Sequence, residues 1–270
     1  MDLLKEKLRV PFQCISNVQE RGKKRAIRVG VHAAINDLII TWDADISFPP
    51  SYLKQISHLP ITDLIILPVF MNSASILGKL AAVEFSFMET LGFGLGGMNR
   101  PMLCYGSNLG FRKDTFQELD AHRDDYEIAS GDDMFLLEAM RTNNKDISIY
   151  SEYDLAVSTN APISFKEIIQ QRQRWFGKMG SLFNSSSILA LILLVLVQIG
   201  GISAIILSFY NPLFLIPLGV KYLSEVITTW RFVKSNRLHW LIILIHQVWY
   251  PVYLIVLIFP FRKEDRWLTK

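Results

Sequence analysis

From Met179 to Val220 the chain carries no Asp, Glu, Lys or Arg. No other feature restricts the possible folds so strongly, because about 20 consecutive apolar residues suffice for a helix to cross a bilayer. A buried helical hairpin of a soluble protein seldom runs so long without charge. Asn211-Pro212 is the natural break in the stretch. A further run, Leu238 to Phe261, is apolar apart from His239, His246 and Gln247. It also carries Trp240, Trp249, Tyr250 and Tyr253, aromatic residues of the kind that anchor a helix at a membrane interface. The expectation is a region 181–270 of two to three transmembrane helices, at about 187–210, 212–230 and 238–260. The middle segment holds Lys221 and Glu225 one helical turn apart, so it either spans as a neutralised pair or lies in the interface.

Charge divides the chain at the same place. Residues 1–178 hold 20 Lys+Arg against 22 Asp+Glu, and residues 179–270 hold 8 against 3, so the net charge of +3 belongs to the apolar third. A nucleic-acid partner is excluded by this placement, since it would call for a basic patch on a polar, folded surface. Basic residues flanking apolar spans point instead to a multi-pass membrane protein whose polar domain is cytoplasmic. Cys14 and Cys104 are the only cysteines, far apart and without metal-ligand spacing, which removes a disulfide scaffold and a structural zinc site. Met1 to Arg9 is charged and has no signal-peptide core.

Residues 1–180 read as an α/β domain in which short β-rich runs alternate with helical patterns. Helices are expected at Arg25–Asn36, from Ser51, across Ile76–Leu91, from Asp132, and at Ser164–Lys178. Strands are expected at Asp37–Trp42, central in the sheet, near Leu64–Phe70, and near 147–159. Gly92–Gly97 reads as a Gly-rich passage between elements, and Cys104–Phe111 as a strand leading into a turn.

Three clusters could carry chemistry. Asp43-Ala44-Asp45 follows directly on a strand, so both carboxylates leave one side of the chain at the carboxyl end of a strand, where open α/β sheets bind ligands. Hard oxygen ligands at that spacing suit Mg²⁺ or Mn²⁺ bridging a diphosphate, although a chain of this size shows about one D-x-D by chance, as a solvated, capping loop. Ser130-Gly131-Asp132-Asp133 precedes an apolar helix. It serves either as an N-cap or as a carboxylate aimed into a cleft as general base. In Gln171-Arg172-Gln173-Arg174-Trp175, Gln171, Arg174 and Lys178 share a helical face. They either neutralise a diphosphate, with Trp175 offering a flat face to a sugar, or form a basic flank at a membrane entry.

The order of these motifs, G-K-K (22–24), D-A-D (43–45), Y-G-S-N-L-G-F-R-K (105–113), S-G-D-D-M-F-L-L (130–137) and Q-R-Q-R-W (171–175), then apolar helices, resembles family-two inverting glycosyltransferases. More narrowly it is similar to the membrane-integrated branch of cellulose, chitin and hyaluronan synthases. The resemblance implies a GT-A-like fold and a hexosyltransferase-type enzyme that moves sugar from a UDP- or GDP-sugar to a glycan or lipid acceptor at the bilayer. It implies that Asp45, with Asp43, holds Mg²⁺ or Mn²⁺ and the donor, that Asp133 is the catalytic base with Asp132 beside it, and that Gln171, Arg174 and Trp175 bind the donor diphosphate and the acceptor end. Lys23 or Lys24 would approach the nucleotide, and Gly106, Ser107 and Asn108 fall on the acceptor side. The family's opening strands and D-D-G-S loop have no counterpart in the sequence. The domain is therefore expected to be incomplete, as an N-terminally truncated enzyme or as an inactive scaffold subunit of a glycosyltransferase complex.

Overall fold

The computed structural model describes residues 13–15, 22–122, 131–179, 185–230 and 239–258. Ser130 lies outside the described residues, as do the side chains at 176–191, 194, 239, 252 and 254–258. The polar part begins with helix α1 (Lys23–Ala33), strand β1 (Leu38–Thr41), the short α2 (Tyr52–Ile56), β2 (Leu64–Ile66) and β3 (Val69–Asn72). The long α3 (Ile76–Gly97), β4 (Leu109–Arg112) and α4 (Lys113–Asp120) follow. It closes with α5 (Asp132–Thr142), β5 (Ile147–Ile149), β6 (Val157–Asn160) and α6 (Phe165–Met179).

Four strands form one sheet in the order β1-β4-β2-β5, with β4 antiparallel to β1 and β2, and β2 parallel to β5. β3 and β6 form a parallel pair beyond it. The run near Leu64–Phe70, expected as one strand, is divided at Leu67-Pro68, because proline offers no N–H to a ladder. The Pro68 carbonyl instead accepts the Val157 N–H at 3.1 Å. β1 was expected in the middle of the sheet. It stands at the edge, pairing among the described residues only with β4.

Side-chain alternation along the strands builds two cores. Leu64, Ile66, Leu109 and Phe111 face a layer made by Val31, Phe116, Leu119, Leu136, Leu137 and Met140 of α1, α4 and α5. Ile65 points the other way, into a core with Tyr52, Ala81, Ala82, Phe85, Ile168 and Ile169 of α2, α3 and α6. A strand covered on both faces must be apolar at every position, which is why β2 reads as an unbroken hydrophobic run. The Gly-rich passage Gly92–Gly97 was expected to separate elements, yet it is the last part of α3. A Cβ at Gly96 would lie 1.9 Å from Ile149 Cδ1, so glycine there lets the end of the helix rest directly against β5.

The C-terminal part consists of α7 (Ser185–Ser208), α8 (Leu215–Thr229) and α9 (His239–Ile258). Transmembrane helices were expected at about 187–210, 212–230 and 238–260; helices lie there, but among the described residues no helix is long and apolar enough to cross a membrane. α9 packs its Ile242 and Ile243 against Leu80 and Val83 of α3, and its Tyr253 enters the core that holds α6. Lys221 bonds Glu225 at 2.6 Å and Gln247 at 2.5 Å, and the Gln247 amide closes the ring onto Glu225, tying α8 to α9.

Two buried acids on α3 have different fates. Glu84 receives the Arg172 guanidinium in a forked pair, Nε to Oε1 at 3.1 Å and Nη2 to Oε2 at 2.8 Å, which docks α6 on α3. Among the described residues Glu89 accepts only the Val69 N–H, at 3.3 Å, through Oε1. Burial holds its carboxyl well above the ordinary range. Arg172→Met, which strands Glu84 inside, should cost about 3 kcal/mol in chemical denaturation. For Glu89, the folded state binds a proton more tightly than the unfolded chain, so wild-type stability should fall as pH rises past 4.5 and through the raised folded value. Glu89→Gln should lack that slope, so its advantage over wild type should be larger at about pH 8 than at about pH 5 in denaturation midpoints.

Candidate active site

β1 delivers Trp42-Asp43-Ala44-Asp45 at its carboxyl end, and the segment is then pinned sideways. Ser47 exchanges backbone hydrogen bonds with Ser158 of β6, at 2.8 and 2.7 Å. Thr159 of the same strand donates to Asp45 Oδ2 at 3.4 Å. Trp42 stacks on Phe48 at 4.9 Å and donates from its indole to the Tyr52 hydroxyl at 3.4 Å. Strand and aromatic clamp together fix where the two carboxylates leave the backbone.

Across the cleft, Gly131 has a left-handed φ of 92°, and the chain turns there into α5. Asp132 and Asp133 thus begin a helix, where the N-terminal dipole favours negative charge. Both Asp133 oxygens are held: Oδ1 by its neighbour Met134 N–H at 2.9 Å, Oδ2 by Gly106 N–H at 3.1 Å. Cys104 donates its thiol to the Asp133 carbonyl at 3.3 Å, so residues 104–106 wrap the start of the helix. Gly106 must come this close. A Cβ on it would meet Asp132 Oδ2 at 3.2 Å and Lys23 Nζ at 3.5 Å.

Lys23 joins the two walls. Its ammonium lies 2.7 Å from Asp43 Oδ1 and 3.7 Å from Asp132 Oδ2, which brings the strand-end and helix-start carboxylates together around one cation. Partial burial opposes its charge, but the Asp132 carboxylate, the hydrogen bond to Asp43 and the charges of Asp43 and Asp133 outweigh that and hold the ammonium above its ordinary range. Lys24 is directed differently: it is buried, with its ammonium 4.4 Å from the centre of the Phe135 ring.

Beyond Thr159 the neighbouring residue Asn160 lines a polar concavity of about 280 Å³ with Pro162, Glu167, Gln170, Gln171 and Arg174. Gln171 and Arg174 therefore share a wall, and β6 links that wall to Asp45. Trp175 lies on the core side of α6, 4.1 Å from the Arg172 guanidinium and 5.9 Å from Phe85. Ser107 is half-buried in the turn after Gly106. Asn108, expected on the acceptor side, is drawn fully inside: it accepts from Tyr52 Oη at 2.6 Å and donates to the carbonyls of Pro68 at 2.7 Å and Leu155 at 2.9 Å. Burial pushes the Tyr52 phenol up to about 12, so it remains a donor to Asn108.

Sequence reasoning passed over Arg172. Its signal was present, because Ile168, Ile169, Arg172 and Trp175 fall on one helical face, and an arginine on an apolar face calls for a buried acid such as Glu84.

Among the described residues no group of three or more His, Cys, Asp or Glu converges as a metal cluster. The donor chemistry nevertheless fits a hard divalent ion, since Mg²⁺ is usually held by one or two carboxylates and takes its remaining ligands from phosphates and water. Asp43 and Asp45 supply such a pair.

The sequence pattern described as glycosyl transferase family group 2 matches residues 38–261. The chain belongs to this family. The match runs from β1 into and beyond α9 and includes Asp43, Asp45, Gly106, Asp132, Asp133 and the 171–175 motif, while Lys23 and Lys24 precede it. No curated protein matches the chain. Family membership makes its chemistry glycosyl transfer, with sites for a nucleotide-sugar donor and an acceptor.

Asn108 gives a direct check on the scaffold. Asn108→Leu would leave the Tyr52 hydroxyl and the Pro68 and Leu155 carbonyls buried without their partner, at about 1 to 3 kcal/mol each. Its denaturation midpoint should fall far more than that of Ser107→Ala, which should stay within about 0.5 kcal/mol of wild type.

Proposed function

We propose that the chain is a membrane-bound, metal-dependent, inverting hexosyltransferase that passes sugar from a UDP- or GDP-sugar to a glycan or lipid acceptor on the cytoplasmic side of a bilayer. The observation that carries this reading is the Lys23 bridge between Asp43 and Asp132, with Asp133 alongside: the carboxylates at the end of β1 and at the start of α5 meet around one ammonium.

In this reading Asp43 and Asp45 hold the divalent ion, which neutralises charge on the departing diphosphate when bound. Arg174 and Gln171, from the concavity beyond β6, and Lys23, from α1, bind the same phosphates. Asp133 sits with its carboxylate oriented by two backbone N–H groups and takes the proton of the acceptor hydroxyl. As the acceptor oxygen bonds the anomeric carbon, the bond from that carbon to the phosphate oxygen breaks. The electron pair leaves with the nucleoside diphosphate, and a single displacement inverts the anomeric centre.

Membrane attachment is supported by the charge-free run and by the distribution of side chains on α8. Ile216, Val220, Leu223 and Ile227 form one outward stripe, each more than half exposed, while Lys221 and Glu225 turn inward to Gln247. Apolar residues facing out and neutralised polar residues facing in are what a hydrocarbon surrounding demands. α7 likewise presents Leu193, Leu196, Ile199 and Ile206 outward.

Transfer from radiolabelled donor by membranes containing the protein tests the assignment. Asp133→Asn should lower the transfer rate by about 10² to 10⁴ while leaving nucleotide affinity nearly intact, because its proton transfer belongs to the transition state. Asp45→Asn should weaken Mn²⁺-dependent nucleotide binding in calorimetry. Equal losses of nucleotide affinity in both variants would overturn this division of roles, and absence of any heat with UDP and Mn²⁺ would mark a non-catalytic subunit.

A further inference from the structure

Lys23 is an unusual neighbour for a carboxylate assigned to a metal. It approaches Asp43 Oδ1 to 2.7 Å, the distance of a full charge-assisted hydrogen bond. It also reaches toward Asp132 at 3.7 Å, through space that Gly106 leaves by having no side chain. The three partners differ in freedom. Asp132 keeps only 12% of its side chain exposed, whereas Asp43 exposes 42% and Lys23 47%, and of the three only Lys23 stands on a four-carbon stem with rotatable bonds. Lys23 is therefore the member that can leave. A divalent ion about 2.1 Å from a carboxylate oxygen and an ammonium bonded to that same carboxylate would repel each other at close range. Their repulsion opposes occupation of Asp43 by both cations at once.

We infer that Lys23 is a resident counter-cation of Asp43, that a divalent ion must displace it to bind, and that the released ammonium then takes the donor diphosphate. This rests on the metal role proposed above for Asp43. Metal and nucleotide binding are then coupled through one side chain. The ion frees the ammonium, the diphosphate gives it a new partner, and each ligand raises the affinity for the other by the same factor. In the absence of either ligand the Asp43 carboxylate remains neutralised by the chain itself.

Titration of Mn²⁺ into the purified full chain, followed by electron paramagnetic resonance without nucleotide, separates this from a plain surface ion pair. Lys23→Met and Lys23→Gln should bind Mn²⁺ roughly tenfold more tightly than wild type, because the competing cation is gone. Lys23→Arg, which keeps the charge, should remain close to wild type. Repeating the titration with UDP should sharpen Mn²⁺ affinity strongly in wild type and much less in Lys23→Met. Unchanged or weaker Mn²⁺ binding by both neutral variants, while Asp43→Asn still loses Mn²⁺, would overturn the inference and leave the metal role standing. If Asp43→Asn binds Mn²⁺ like wild type, the metal role of Asp43 fails and the counter-cation role fails with it.

Discussion

The amide of Asn108 is the bracket on which the site depends. Its three hydrogen bonds reach Tyr52 in α2, Pro68 at the break between β2 and β3, and Leu155 just before β6. Tyr52 passes the constraint to Trp42, the residue before Asp43. Leu155 passes it to the strand whose Ser158 and Thr159 hold Ser47 and Asp45. Two positions back along the chain, Gly106 holds Asp133. One buried amide thus sets the separation between the Asp43 and Asp45 carboxylates at the end of β1 and the Asp133 carboxylate at the start of α5. An asparagine suits the task because it offers two donors and an acceptor without a charge to desolvate.

A second constraint comes from the Arg172–Glu84 fork. Such a pair adds little net stability compared with apolar packing, but a planar guanidinium accepts only one orientation of its partner. It fixes the rotation of α6 about its axis, and that rotation decides which motif residues look outward. With Arg172 turned into α3, Gln171 and Arg174 face the concavity and Trp175 lies against Phe85. The 171–175 motif is thereby divided between residues packed into the core and residues that line the concavity.

Much of this was legible in the sequence, and for identifiable reasons. The strand before Asp43, the helix beginning at Asp132 and the amphipathic helix carrying Gln171 and Arg174 all announce themselves by local periodicity and capping chemistry. The apolar C-terminal helices begin and end close to where charge and proline punctuate the chain. What was hidden depends on partners distant in sequence. The glycines of 92–97 looked like a loop because only the approach of Ile149 explains them as helix. Asn108 was placed on the acceptor side by the resemblance alone, and an asparagine after a turn looks the same in sequence whether its amide points to solvent or to Pro68. The edge position of β1 follows from strand order, which no local pattern encodes.

α3 belongs to both halves of the molecule. One face of it gives Phe85 to the core beneath the site and Glu84 to Arg172, while another gives Leu80 and Val83 to Ile242 and Ile243 of α9, and Thr90 donates to the Thr228 carbonyl of α8. The place near residue 180 where composition changes so sharply is therefore not a seam. The apolar helices act as the back wall of the sugar-transfer domain, and the position of that domain on them is set by side-chain packing along a shared helix instead of by a tether.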